Sequence, residues 1–122
     1  MNQSQTQNQL TLAPIRQVTG EVTLPGSKSL SNRALLLSAL AEGTTRLKNL
    51  LRSDDTERML AALRQLGTGI ELSADWQSGK VLGNAGIFNT PDVPDFFLGN
   101  AGTAIRPLTA VLSLIPGDFT ID

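Results

Sequence analysis

The chain has 122 residues, 40% hydrophobic and 17% charged, with a formal net charge of -1. That is the length of one ordinary domain with globular rather than disordered composition. Cysteine and histidine are both absent, which excludes disulfides, zinc sites and Cys–His or Ser–His–Asp nucleophilic machinery within the chain.

Residues 1–61 carry seven Lys/Arg against five Asp/Glu, and residues 62–122 three against six, an asymmetry too small to argue for nucleic acid. No apolar run approaches the roughly 18 residues of a membrane span, and "MNQSQTQNQL" lacks the basic-then-apolar order of a signal peptide. The expectation is a cytoplasmic chain with no nucleic-acid or membrane partner and a polar tail over residues 1–9.

After the tail, "LTLAPI" and "GEVTLPG" have the β-branched, alternating look of short strands, the second ending in a turn at Pro25 and Gly26. A helix follows over residues 30–41. Leu30, Ala34, Leu37 and Ala41 recur at helical spacing, and Leu35, Leu36 and Leu40 widen the stripe until it is nearly all round, as in a helix packed on both sides.

Glu42-Gly43 stops this helix, "TTRLKNLL" reads as a strand, and "SDDTERMLAALRQLG" reads as a second helix. Asp54 is its expected cap, with Glu57 at capping-box spacing, an apolar stripe at Met59, Leu60, Leu63 and Leu66, and Gly67 past its end. "GIELSADW" and "GKVLGN" make a hairpin, with Trp76 as a packing residue. The order β-α-β-α-β-β places helices against one face of a mixed sheet, an α/β (α+β) class.

A second copy then begins. Gly26 lies seven residues before Arg33 and Gly99 seven before Arg106, Leu35 and Leu108 each follow their arginine by two, and Gly43 and Gly117 each close a helix. This reads as an internal repeat cut off at Asp122.

Both copies carry site chemistry at the helix start. Around Gly26-Ser27-Lys28-Ser29 the first amides of the helix are free of intrahelical partners and point outward with the positive end of its dipole. Lys28 adds a full charge, Ser29 a hydroxyl, and Arg33, one turn on, a planar fork suited to phosphate or carboxylate. A nucleotide P-loop is excluded, since Glu21 stands where its first glycine is required.

In "LGNAGTAIRPL", Gly99 and Gly102 permit close backbone approach, Asn100 is a candidate cap, and Thr103 and Arg106 are donors. Pro107 fits a first helical turn and breaks an interior, so the helix either begins near Arg106 or kinks there. The pair Asp54-Asp55 suggests a catalytic dyad or a magnesium site, but Asp54 is better explained as the cap of the second helix, which leaves Asp55 the weaker catalytic candidate.

The stretches "LPGSKSLSNRALLLSALAEGTTRLKNLLRSDDTERMLAALRQLG" and "LGNAGTAIRPL" resemble the opening region of the 5-enolpyruvylshikimate-3-phosphate synthase family. The resemblance implies repeated β-α-β-α-β-β units of the enolpyruvyl transferase fold, an inverse α/β barrel-like arrangement, truncated here. Residues 10–19 would then be a strand region belonging with a second domain, and residues 20–122 an incomplete N-terminal domain: one unit over about 20–86 and the start of the next over about 94–122.

The activity implied is transfer of the enolpyruvyl group of phosphoenolpyruvate to the 5-hydroxyl of shikimate 3-phosphate, with release of phosphate and no cofactor. The methylene carbon is protonated, the hydroxyl attacks a cation-like centre, and the tetrahedral adduct loses phosphate. Carried over by matched motif, Lys28 touches both substrates, Ser29 and Arg33 hold shikimate 3-phosphate, and Asn100, Gly102 and Thr103 line the phosphoenolpyruvate pocket, where glyphosate competes in this family. Arg106 and Pro107 shape the helix, and Asp55 matches a family position near the lysine.

The family's proton-transferring carboxylates are expected beyond Asp122, so the chain alone is expected to be inactive, and the complete enzyme monomeric. The alternatives are the sister enolpyruvyl transferase acting on UDP-N-acetylglucosamine, and a non-catalytic truncated module that binds a phosphorylated metabolite.

Overall fold

The computed structural model describes residues 10–88 and 95–122; the expected tail over residues 1–9 lies outside them. The elements are α1 (Lys28–Leu40), β1 (Glu42–Lys48), α2 (Asp54–Gln65), β2 (Gly69–Leu72), β3 (Ser78–Asn84), β4 (Asp95–Phe96), α3 (Gly102–Leu112) and β5 (Thr120–Ile121).

α1 opens at Lys28, two residues before the apolar pattern that begins at Leu30, and ends at Leu40. Ser27 is the N-cap, its Oγ accepting from the Leu30 amide. The buried face is not the expected stripe, however. Ser31, Asn32, Leu35, Leu36, Ser38 and Ala39 point inward, whereas Leu30 and Leu37 are 63% and 64% exposed. Side-chain hydrophobicity alone does not choose a face on a helix that is apolar nearly all round; packing against α2, α3 and β3 chose this one.

α2 corrects a second expectation. Ser53, not Asp54, is the cap: its Oγ accepts from the Thr56 amide while Thr56 Oγ1 accepts from the Ser53 amide, a capping box one residue earlier than expected. Ser53 prevails because both hydroxyls in that pair can donate and accept, and Asp54 moves to the first helical position, where a carboxylate complements the dipole. At the other end Gly67 takes φ +82. Its amide donates to Arg64 O and the Thr68 amide to Leu63 O, both at 3.0 Å, which closes the helix in a Schellman motif.

The strands β1, β3 and β2 form an antiparallel sheet in that order, with Arg46, Lys80 and Glu71 in one cross-strand file. The expected hairpin is β2–β3. Glu42 and Gly43, read as the helix stop, instead begin β1. Trp76 is the expected packing residue, 6% exposed in the hairpin loop.

No strand forms at "LTLAPI" or "GEVTLPG". Their apolar residues are exposed, Leu10 at 83% and Val22 at 80%, and neither stretch adds to an edge of the sheet. Strand propensity is realised only through a backbone ladder and a covered face, and among the described residues this segment has neither, its Leu24 carbonyl accepting only from the Asn49 side chain at 3.3 Å.

Residues 95–122 hold β4, α3 and β5, with β4 and β5 paired in parallel through Phe96↔Ile121. α3 starts at Gly102 and runs through Pro107, so the start near Arg106 is corrected. Asn100 is not the cap either. Ala101 occupies that position without a side-chain hydrogen bond; Asn100 accepts the Gly102 amide through its backbone oxygen at 2.8 Å. The three helices pack on one another around one core that includes Leu35, Met59, Leu63, Val81, Phe96 and Leu108, all fully buried. Each such leucine contributes about 1.5–3 kcal/mol.

Candidate functional site

The start of α1 is pinned to the loop that leads into α2. Gly26 lies so close to that loop that a Cβ would be driven into the Asn49 carbonyl oxygen and sit 2.6 Å from the Leu51 amide nitrogen. Ser31 Oγ accepts the same Leu51 amide at 2.9 Å. The three serines of the motif therefore separate: Ser27 caps, Ser31 ties α1 to the loop, and Ser29 is half-buried without a hydrogen bond to the described residues.

This pinning brings three helix starts together. Lys28 is the first residue of α1, Asp55 the second of α2, and Thr103 the second of α3. Lys28 Nζ lies 3.4 Å from Asp55 Oδ1, and Thr103 Oγ1 donates to Asp55 Oδ2 at 2.6 Å. A fourth side chain completes the set: Asn32 Nδ2 donates to Thr103 Oγ1 at 2.7 Å. Asn32 stands four residues after Lys28 on the same face of α1, so Lys28–Asp55–Thr103–Asn32 closes a ring through three helices.

Electrostatics orders the ring. The Thr103 hydroxyl holds the Asp55 carboxyl below the usual carboxylate range; burial pushes the other way, and Lys28 adds to the lowering. Asp55 is thus ionised at neutral pH, its side chain 15% exposed, while Lys28 keeps 45% exposure and faces outward at the mouth. With side chains from near the starts of three helices meeting at Asp55, and helix starts carrying partial positive charge, the arrangement suits a ligand with more negative charge than Asp55 supplies.

Of the other sequence-predicted residues, Arg33 is exposed one turn beyond Ser29 and forms no ion pair among the described residues. Asn100 and Gly102 are exposed at the start of α3, next to Thr103. A Cβ on Gly102 would meet nothing within 4 Å among the described residues, so no packing against them requires glycine there. Arg106 is exposed and Pro107 half-buried in the helix interior. Since proline has no amide hydrogen, Thr103 O receives no helical bond from residue 107.

Asp55 moves from the weaker member of an acidic pair to the centre of the ring, because Ser53 and not Asp54 is the cap. Asn32 was missed. Its signal was available: an amide inside a helix, where its propensity is poor, at i+4 from the expected site lysine and three residues before the buried Leu35. Among the described residues no three metal-type ligands are grouped and no helix is long and apolar enough to cross a membrane.

A family profile described as EPSP synthase (3-phosphoshikimate 1-carboxyvinyltransferase) matches residues 12–122. The chain belongs to the EPSP synthase family. A 3-phosphoshikimate 1-carboxyvinyltransferase of Sulfurovum sp. is 59% identical over 114 residues, covering 93% of this chain and 27% of the relative; one of Photobacterium profundum is 57% identical over 112 residues, covering 92% and 26%. The solved EPSP synthase of Acinetobacter baumannii superposes with a TM-score of 0.76 at 31% identity over 84% of this chain and 23% of that one. The chain thus spans about a quarter of the length of its EPSP synthase relatives, and its fold is that of the matching part.

Proposed function

We propose that this chain supplies part of the site at which the enolpyruvyl group of phosphoenolpyruvate is transferred to the 5-hydroxyl of shikimate 3-phosphate, with release of phosphate. The observation that carries this reading is the meeting of Lys28, Asp55 and Thr103 at three helix starts. Family membership supports it, and the names of the relatives favour it over the sister transferase acting on a UDP-amino sugar.

In this reading Lys28 contacts both anions, balanced by Asp55 until substrate negative charge arrives. It then stabilises charge developing on the departing phosphate. Ser29 and Arg33, on one face of α1, hold the phosphate of shikimate 3-phosphate, Arg33 as a fork of parallel donors. Asn100, Gly102 and Thr103 line the phosphoenolpyruvate side; the open space over Gly102 is consistent with a ligand lying against the backbone. Arg106 and Pro107 shape α3. The same reading carries over from the resemblance a monomeric, cytoplasmic enzyme.

The test grafts this chain in place of the matching stretch of the Sulfurovum sp. relative and measures phosphate release. Release that requires both substrates and is lost in Lys28→Ala supports the reading. Binding of a phosphorylated ligand without release would instead identify a non-catalytic module, and release indifferent to Lys28→Ala would remove the proposed role of the lysine.

A further inference from the structure

Asn32 is fully buried, yet its amide is only half used. Nδ2 donates to Thr103 Oγ1 at 2.7 Å, while Oδ1 receives no hydrogen bond among the described residues. The orientation of the amide follows from its neighbours. Ionised Asp55 accepts only, so the Thr103 proton goes to Asp55 Oδ2, and the Thr103 oxygen is left to accept from an N–H.

Such a residue is a poor choice for stability. A buried hydrogen bond adds little net free energy, and an unpaired buried acceptor offsets it or worse. An apolar side chain of similar size would suit the same buried face of α1, which also carries Leu35, Leu36 and Ala39 beside Ser31 and Ser38. What Asn32 alone supplies is direction: without its N–H, the Thr103 hydroxyl is free to rotate away from Asp55.

We propose that Asn32 is a positioning residue whose buried amide commits the Thr103 hydroxyl to Asp55 and, through Asp55, fixes Lys28 at the mouth of the anion site. It touches no substrate. The functional consequence rests on the proposed transferase reading; the effect on Asp55 does not.

The experiment follows the Asp55 carboxyl by carbon-13 NMR titration in this 122-residue chain, in four forms: unaltered, Asn32→Leu, Thr103→Val, and both together. Asn32→Leu should move the Asp55 midpoint upward, toward the ordinary carboxylate range, in the direction Thr103→Val moves it. The double variant should move it no further than Thr103→Val alone, since the two groups act in series. The thermal midpoint of Asn32→Leu should be unchanged or raised.

An Asp55 midpoint that rises in Thr103→Val and stays put in Asn32→Leu overturns the proposal. So does additivity in the double variant, or a fall in thermal midpoint with no change at Asp55, each of which marks a packing role. If leucine does not fit, Asn32→Ala, which leaves a cavity rather than a clash, should lose stability and still raise the Asp55 midpoint; stability loss alone overturns the proposal.

In the graft, KM for both substrates should rise about three- to tenfold in Asn32→Leu, the effect of one hydrogen bond. A graft that is inactive before any substitution counts against the transferase reading, and the titration still decides the role of Asn32.

Discussion

Thr103 and Asp55, 48 residues apart in the chain, share a hydrogen bond of 2.6 Å that joins the starts of α3 and α2. It makes the pH response of Asp55 a report on the site. The bond, with Lys28 beside it, lowers the folded-state pKa of Asp55 against the effect of burial.

The stability this contributes is fully present above the unfolded carboxylate value of about 3.9 and is lost as pH falls through the depressed folded value. Asp55→Asn should therefore reduce stability at pH 7 and flatten the acid side of the stability profile. Urea unfolding from pH 7 down to pH 3 measures this; parallel profiles for the two proteins would show that the bond leaves the carboxylate unperturbed.

Lys28→Ala is expected to separate binding from folding. Its ion pair with Asp55 is half exposed on the lysine side, so its loss should change stability little. A charge-assisted hydrogen bond to ligand contributes about 1.5–3 kcal/mol, so affinity for shikimate 3-phosphate should fall by about 10- to 150-fold. Calorimetric titration of the grafted enzyme is the measurement.

Two glycines should respond in opposite ways. Gly26→Ala forces a methyl into the Asn49 carbonyl and should cost about 1–3 kcal/mol. Gly102→Ala meets open space on the first turn of α3 and should leave stability equal or raised, while KM for phosphoenolpyruvate rises because the methyl occupies the ligand's side. Thermal unfolding and steady-state kinetics on the two variants decide it.

The caps give a fourth comparison. Ser53→Ala removes one side of a reciprocal pair and should cost about 1 kcal/mol. Asp54→Ala, which loses only a screened interaction with the helix dipole, should cost about 0.5 kcal/mol. Equal costs in urea unfolding would return the cap to Asp54.

The site-bearing stretches were legible because their information is short-range. A serine three residues ahead of the amide it caps, a glycine closing a helix, and Lys28, Ser29 and Arg33 within one and a half turns are all set by bonds to near neighbours in the chain. The β2–β3 hairpin was legible for the same reason.

What short-range information left open was decided by packing. α1 is apolar on nearly every side, so which leucines are buried depended on where α2, α3 and β3 settled. The strand-like segment over residues 10–26 has the right alternation and forms no strand, because a ladder needs a second edge. Asn32 and Thr103 lie 71 residues apart, and nothing in the sequence near either names the other. Their meeting with Asp55 and Lys28 exists only because three helices bury one core and so bring side chains near their starts together; that packing, rather than any one motif, joins the residues into a candidate site.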